Sequence, residues 1–170
     1  MFDDSFEAVF THATIGIIVS DEQGRIVSSN RHAHTLFGYT KEEMTGLSID
    51  ALVPNPVAHR HAALRSSFNA HPQVRSMGHG RDLYAKRKDE SIFPAEISLS
   101  YFYRETVLLT VAYIIDITAK KEADLTLLAQ KARIEQLNAE LEQKVVDRTH
   151  ALMATLHQLE QSKDELAKAL

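Results

Sequence analysis

The side chains best suited to binding chemistry are histidines, because the chain has nine of them and no cysteine. One helical face is predicted from four residues at steps of four, three and four: Val57, His61, Leu64 and Phe68. That face should meet the core, so we expect His61 to point inward. An inward imidazole needs a partner, which is either a hydrogen bond to backbone or water or a metal such as haem iron.

Arg81 is the second candidate, because it begins a predicted strand directly after Gly78-x-Gly80. The glycines alone indicate a loop and no dinucleotide site, since no βαβ unit surrounds them. A salt bridge at a pocket rim, or exposure to water, is the alternative role for Arg81. Between His59 and Lys88 there are seven Lys or Arg residues and one acid. This basic region either faces an anionic group or forms a solvated surface.

Other chemistries lack the residues they need. The histidines at 59, 61, 71 and 79 show no H-x-x-x-H spacing, which gives a zinc site little support. The absence of cysteine excludes disulfides, thiolate metal sites and cysteine nucleophiles. No Ser-His-Asp, paired-carboxylate or phosphate-loop pattern emerges, so no enzymatic activity is predicted for this chain.

Composition bounds the class of protein. The 170 residues are 44% hydrophobic, which supports a folded core, and the net charge of −4 disfavours nucleic-acid binding. No apolar run approaches the roughly 20 residues that cross a bilayer. The acidic start of the chain lacks the basic region of a signal peptide. We therefore expect a cytoplasmic protein.

The elements that would position His61 and Arg81 alternate strands and helices in the first part of the chain. Short-range patterns predict two strands, several short helices and three further strands, an α+β arrangement with helices on one face of an antiparallel sheet. The strands are predicted around Ile15–Val19, Arg25–Ser29, Arg81 onward, Phe93–Leu99 and Val107–Ile115.

Turn and cap residues add detail to this prediction. Asp21 to Gly24 predict a hairpin turn. Ser5 is expected to cap a first helix, Thr40 and Glu43 to form a capping box, and Asn55 to cap a helix that opens with Pro56.

The second part, residues 119–170, has no glycine or proline and is rich in helix formers. We place the boundary at Asp116-Ile117-Thr118, with Thr118 as helix cap, which gives a domain at 1–118 and a helix at 119–170 that is cut before its natural end.

The apolar positions of this helix recur at steps of three and four residues: Ile134, Leu137, Leu141, Val145, Arg148, Leu152, Leu156, Leu159, Lys163, Leu166 and Leu170, with Arg148 and Lys163 as the charged members. Eleven-residue repeats link Ile134, Val145 and Leu156, which favours a straight or slightly right-handed coil. One small domain cannot bury so long a stripe, so we predict a parallel homodimer. The alternatives are a helix folded back on its own domain, or antiparallel pairing.

The order of elements, together with particular residues, resembles a PAS domain over Phe6 to Thr118. The resemblance implies a five-stranded antiparallel sheet with short helices. Its carriers are Ile17 to Asp21, Gly24 to Ile26, Asn30, Leu36 to Tyr39, Glu42-Glu43, Gly46, Lys86 to Asp89, Phe93 to Glu96, and Asp116 to Thr118. Glu90 stands where the family usually has glycine, so we expect another backbone geometry in that turn.

Two segments are similar to the oxygen-sensing haem PAS domains of the FixL type: Pro54 to His61, and Gly78 to Arg81. By this resemblance His61 is a haem b ligand and Arg81 bonds bound oxygen or a haem propionate. Ile97 and Leu99 fall on apolar pocket positions. Many PAS domains keep a histidine and arginine here without haem, so the cofactor stays open. Flavin is disfavoured, since the light-sensing flavin relatives use a cysteine.

Residues Leu137 to Thr149 resemble the linker that precedes the catalytic core of bacterial sensor histidine kinases. Neither His150 nor His157 has the sequence context of a phospho-accepting histidine. The resemblance implies a sensory module in which a pocket event alters coil packing, with Asp116 and Thr118 as coupling residues and a C-terminal kinase or other output domain. The alternative is a ligand-free dimerisation scaffold, whose interior would be filled by side chains; a haem enzyme has only Arg81 to support it.

Overall fold

A computed structural model describes residues 2–77 and 83–169, which divide into two compact units, Met1–Lys120 and Lys121–Leu170. The second unit is a single helical segment. The elements are α1 (Phe2–His12), β1 (Gly16–Ser20), β2 (Ile26–Ser29), α2 (Arg31–Phe37), α3 (Lys41–Met44), a 3₁₀ helix (Ile49–Leu52), α4 (Asn55–Ala70), β3 (Arg75–Ser76), β4 (Leu83–Lys86), β5 (Ile92–Arg104), β6 (Val107–Asp116) and α5 (Thr118–Ala169).

The sheet is antiparallel and runs in the order β2-β1-β6-β5, with β3 and β4 both paired to the far side of β5. β3 and β4 occupy one edge position, because Arg75 lies opposite Leu99 and Leu83 lies opposite Ala95. The predicted α+β fold with an antiparallel sheet is therefore confirmed. The strand predicted from Arg81 onward is described from Leu83, and the two-residue strand β3 was not predicted.

The inner face of the sheet carries the main core, which α2, α3 and the 3₁₀ helix cover. Phe37 and Phe93 lie at its centre with their rings 5.7 Å apart. Ile18, Ile26 and Met44 are at most 1% exposed. Burying side chains of this size supplies most of the stability of the unit.

Helix α1 is the exception to the prediction that the helices share one face. Its Phe10 packs on Val19, Leu109 and Val111, which point to the outer face of the sheet. Alternation along the strands makes both faces of the central strands apolar. The sheet is therefore covered on two sides near β1 and β6.

A buried asparagine joins the first hairpin to α2. Asn30 is 1% exposed. Its side-chain oxygen accepts from the N–H groups of Ile17 and Ala33, each at 2.9 Å, and its amide donates to the carbonyl of Ile15 at 2.9 Å. All three hydrogen bonds of the Asn30 side chain thus join it to backbone groups, and the bond from Ala33 caps the start of α2.

Two turn predictions are confirmed. Gly24 has φ of +78° and closes the hairpin with an N–H bond of 2.9 Å to the carbonyl of Asp21. Thr40 and Glu43 form the reciprocal capping box at the start of α3.

Three cap predictions are wrong. Helix α1 already begins at Phe2, so Ser5 lies inside it. Asn55 is the first residue of α4 and no side chain caps that helix. At the start of α5 the capping group is the Asp116 carboxylate, which accepts from the Thr118 N–H at 2.8 Å and from its hydroxyl at 2.5 Å.

Glu90 was expected to change the turn geometry because it replaces glycine, and the structure contradicts this. Its φ is +66°, the left-handed conformation that glycine adopts without strain. The turn before β5 is thus retained at a steric cost of about 1–2 kcal/mol.

We predict that Glu90→Gly raises the free energy of unfolding by about 1 kcal/mol, because it removes this steric cost. The measurement is chemical denaturation at neutral pH. Glu90→Ala is the matched control: it also loses the exposed ion pair with Lys86 but keeps a Cβ at positive φ. Equal stabilities of the glycine and alanine variants would contradict the explanation.

Candidate functional site

A partly open cavity of about 110 Å³ lies between the inner face of the sheet and helix α4. The sheet contributes Ile18, Ala112 and Ile114 to its wall, and the helical side contributes Leu52, Leu64 and Phe68. The wall is apolar over most of its area. The cavity is therefore suited to a small, largely apolar molecule.

His61 reaches this cavity from α4 and has a definite partner. Its Nδ1 lies 2.6 Å from Oδ1 of Asp50, in the 3₁₀ helix, and its side chain is 20% exposed. The predicted inward direction and need for a partner hold, but the partner is a carboxylate and not backbone or water. The sequence interpretation missed Asp50, because eleven residues and a change of element separate it from His61.

Asp50 also binds Arg65, one helical turn beyond His61. The Arg65 guanidinium donates to Oδ1 at 2.8 Å and to Oδ2 at 2.9 Å. Partial burial of Asp50 disfavours its charged form, but the hydrogen bonds from His61 and Arg65 and their charges outweigh it, so the pKa of Asp50 lies below its ordinary value of 3.8. The i, i+4 spacing of His61 and Arg65 is the sequence feature that could have suggested a shared acceptor.

The face of α4 that was predicted to enter the core lies partly at its rim. Phe68 is 5% exposed, whereas Val57 is 46% and Leu64 is 52% exposed. The helix thus turns inward mainly at its C-terminal end. This leaves the ion pair with Asp50 as its principal polar attachment near the middle.

The C-terminal half of α4 contacts the β1–β2 turn. A Cβ placed on Gly24 would lie 2.6 Å from the Arg65 guanidinium, so the glycine makes room for that side chain. The Asn69 amide donates to the carbonyl of Glu22 at 2.9 Å, and the Glu22 carboxylate accepts from the N–H of Leu108 at 3.3 Å. Helix α4, the turn and strand β6 are therefore connected by polar contacts.

Ile97 and Leu99 lie on the inner face of β5 and line the cavity, opposite Ile114 and Ala112 of β6. Arg81 lies outside the described residues, so its predicted role at the pocket stays a prediction. Among residues 2–77 and 83–169, no group of three or more His, Asp or Glu side chains could hold a metal ion.

Whether this site could hold haem depends on the size of the cavity and on the chemistry of His61. With Nδ1 hydrogen-bonded to a carboxylate, Nε2 is the nitrogen left for a metal, as in many metal-binding histidines. The volume of about 110 Å³ is nevertheless below the roughly 300 Å³ of the smallest usual ligand pockets, and a haem macrocycle needs more than that. The cavity therefore does not fit haem.

Strand β6 ends at a junction that ties three elements together. Arg87, just after β4, donates to the Asp116 carboxylate at 2.8 Å and to the carbonyl of Leu36, and its guanidinium lies 4.0 Å from the centroid of Phe93. Partial burial opposes ionisation of Asp116, but the bonds from Thr118 and Arg87 lower its pKa. Asp116 and Thr118, the pair predicted to couple the two parts of the chain, are thus in contact with each other, and Asp116 also contacts Arg87.

Helix α5 carries the predicted dimer seam on one side. The 52 residues of the helix span about 78 Å at 1.5 Å per residue. At about 100° per residue the seam positions fall within a sector of about 100°. Its apolar members are 45–67% exposed in the single chain: Ile134, Leu137, Leu141, Val145, Leu152, Leu156, Leu159 and Leu166. Arg148 lines a shallow groove on the same side with Leu141, Val145 and Ala151.

A family model described as a PAS domain matches residues 14–119. The chain is 27% identical to sensor protein FixL of Bradyrhizobium diazoefficiens over 125 aligned residues. The aligned part is 74% of this chain and 23% of FixL. The chain is 25% identical over 139 residues to oxygen sensor protein DosP of Escherichia coli, covering 79% of this chain and 16% of DosP. The chain thus spans less than a quarter of either relative.

Solved structures give the same fold. A PAS domain of an HTR-like protein from Haloarcula marismortui is 25% identical, with a TM-score of 0.59, over 68% of this chain and 92% of that one. A PAS domain from Colwellia psychrerythraea is 21% identical, with a TM-score of 0.61, over 70% and 99%. In the part of the chain that the structure describes, no helix is both long and apolar enough to span a bilayer.

Replacing Asp50 tests the attachment of α4. We predict that Asp50→Asn lowers the free energy of unfolding by about 1–3 kcal/mol at pH 5, because the His61 and Arg65 side chains lose their charged acceptor. The native pKa of Asp50 lies below 3.8, so its stabilising effect is complete above that value and is lost as the pH falls below it. The difference between the two proteins should therefore shrink at pH 3.

The control for this experiment is Glu7→Gln, on the exposed side of α1. It removes one carboxylate from the same unit without an ion pair, and its effect should be small at both pH values. A difference for Asp50→Asn that stays constant from pH 5 to pH 3 would show that the carboxylate charge does not hold α4.

An absorption spectrum tests the conclusion on haem. Protein produced with haem available is expected to show no Soret band beyond that of His61→Ala, because the cavity is too small for the macrocycle. A stoichiometric Soret band that His61→Ala abolishes would establish haem ligation and overturn the volume argument.

Proposed function

The chain belongs to the PAS domain family, and on that basis we propose that it is a sensory and transmitting module in which a small molecule in the cavity alters the packing of a homodimeric coil. One observation carries the proposal: the cavity lies on the inner face of the same strand that ends at the cap of α5. Ala112 and Ile114 of β6 line the cavity, and Asp116 of the same strand bonds Thr118. The division into a sensory domain at 1–118 and a transmitting helix at 119–170 follows this continuity.

Transmission in this proposal depends on the rigidity of β6. The strand pairs with β1 along Thr110 to Ile114 and with β5 along its whole length. A ligand that moves its inner side chains cannot be accommodated by one residue alone, because interiors are close-packed. The displacement reaches Asp116, where the bonds to Arg87 and Thr118 link it to the first turn of α5.

The partner of α5 in this proposal is a second copy of the helix, in parallel. The stripe of exposed Leu, Ile and Val is flanked by charged residues, and a second stripe of the same kind buries it most economically. Arg148 lies within it and weakens the coil locally. A coil with mixed spacing and a charged seam residue has two packings of similar free energy, which is what a switch requires.

The ligand-free scaffold predicts an interior filled by side chains. The cavity of about 110 Å³ favours the sensory alternative. The output domain belongs to the same proposal: the relatives FixL and DosP are named as sensors, and we expect a C-terminal kinase or other output domain in a cytoplasmic protein. The described residues include neither a phospho-accepting context nor a nucleotide site, so output would come from that domain.

We predict that Leu152→Glu raises the dimer dissociation constant at least about tenfold, because it places a charge in the seam of both helices. Met153→Glu is the matched control. Met153 is the next residue, is equally exposed at 62% in the single chain, and points about 100° away from the seam. Sedimentation equilibrium measures both; a monomeric wild type, or equal effects of the two changes, would contradict the dimer proposal.

Transmission is tested by filling the cavity and following the coil. The chain has no cysteine, so Ile134→Cys and Leu166→Cys each provide a single thiol. In a parallel dimer, a thiol at position 134 is expected to cross-link to position 134 of the partner, and a thiol at 166 to position 166. No cross-link between positions 134 and 166 is expected. Adding Ala112→Leu should change the cross-linking rate at Ile134→Cys at least about threefold, because bulk in the cavity moves β6.

Ser98→Leu is the control for that experiment, since it adds similar bulk on the outer face of β5, opposite Tyr113. It is expected to leave the rate unchanged. Cross-links between position 134 and position 166 would show an antiparallel coil. Identical rates with and without Ala112→Leu would overturn transmission.

A further inference from the structure

Two hydroxyl groups face the cavity from neighbouring strands. Ser20 of β1 and Thr110 of β6 are directly opposite each other in the ladder, and both line the cavity. Ser20 is only 7% exposed. Within residues 2–77 and 83–169, neither side-chain hydroxyl forms a hydrogen bond to the protein. Buried polar groups normally have partners, so this pair points to a polar atom of a bound molecule.

The charge around the cavity has one sign. Three basic side chains line it, His61, Arg65 and Arg75, and no carboxylate does so among the described residues. His61 and Arg65 are already bound to Asp50. Arg75 instead lies over the Phe68 ring, 5.3 Å from its centroid, and has no carboxylate partner within the described part of the chain. Its planar set of donors is thus available to an anion at the cavity mouth.

The sheet register places these groups on adjacent rows. Arg75 of β3 lies opposite Leu99, and Leu99 lies opposite Ala112. Thr110 precedes Ala112 by two residues on the same face of β6, about 7 Å along the strand. The hydroxyl pair and the guanidinium therefore border the same small cavity from two sides, with apolar side chains between them.

Size limits the molecule that can enter. A dry, apolar cavity of about 150 Å³ accommodates one benzene ring. The cavity here, of about 110 Å³, is smaller than that but partly open, so a short branched chain fits inside it and a single ring fits with its polar end at the opening. Long-chain fatty acids, nucleotides and macrocycles are too large.

We propose that the cavity binds a small monocarboxylate with a compact apolar body, such as an aromatic acid of one ring. Its body packs against Ile18 and Leu99, and its carboxylate accepts hydrogen bonds from both Ser20 and Thr110 and pairs with Arg75. This inference rests on the proposed sensory function and specifies the class of ligand. A neutral alcohol of the same size is the competing ligand, because it satisfies the hydroxyl pair but gains nothing from Arg75.

The test compares benzoate with benzyl alcohol as probes, using isothermal titration calorimetry and amide chemical shifts of the full chain. Benzoate is expected to bind one site per chain, at least about tenfold tighter than benzyl alcohol. Thr110→Val, which keeps the side-chain shape, should weaken benzoate at least about tenfold. Arg75→Gln should do the same for benzoate while leaving benzyl alcohol within about twofold. Arg104→Gln, at the far end of β5, is the charge-matched control and should change neither.

The outcomes separate this inference from the proposed function. Benzyl alcohol binding as tightly as benzoate, or benzoate unaffected by Arg75→Gln, would overturn the anionic class while leaving a functional pocket. If neither probe binds to the folded wild-type protein, the proposed ligand class is overturned altogether. Sensing itself is judged apart from these results, by the effect of Ala112→Leu on coil cross-linking, which needs no ligand.

Discussion

The carboxylate of Asp50 is the interaction on which the candidate site depends. It holds α4 over the inner face of the sheet by bonding His61 and Arg65 from one side of that helix. Few apolar contacts could replace it, since Val57 and Leu64 are about half exposed. Because α4 is held mainly by these polar contacts, it can move without disrupting the core. Movement of the helix there costs little buried apolar area.

The sheet has two functions that follow from strand alternation. Side chains at even positions of β6 line the cavity, and those at odd positions pack on the outer face beneath α1. The same strand therefore forms part of the pocket and determines where Asp116 lies. No separate transmitting element is needed in the proposed mechanism, because a change in one face of a closely packed strand is passed along it.

Helix α5 differs from the first unit in what stabilises it. Its i, i+4 contacts, such as the bond of 2.9 Å from Gln136 to Glu140, are worth only tenths of a kcal/mol each. A stripe of exposed Leu, Ile and Val would remain in water in a single chain. The proposed dimer connects stability with function, because the same apolar side chains that join two copies would respond to a shift in register.

The sequence alone determined the order of elements, the α+β class, the hairpin at Gly24, the capping box at Thr40 and the stripe on α5. These depend on local periodicity and turn chemistry, which neighbouring residues encode. It also identified His61 as an inward residue, although the full helix face was predicted to be more buried than it is. Glu90 shows the limit of residue-type reasoning, because the tertiary context holds it at a φ that its type disfavours.

Only the tertiary structure decided that Asp50 is the partner of His61, that Arg87 joins Asp116, and that the Ser20 and Thr110 hydroxyls face one cavity. Each pairing joins residues distant in sequence, and side-chain type does not reveal which distant acceptor a donor will meet. The volume of the cavity was likewise beyond the sequence, because it is set by how closely α4 approaches the sheet. That distance depends on all the packed side chains together.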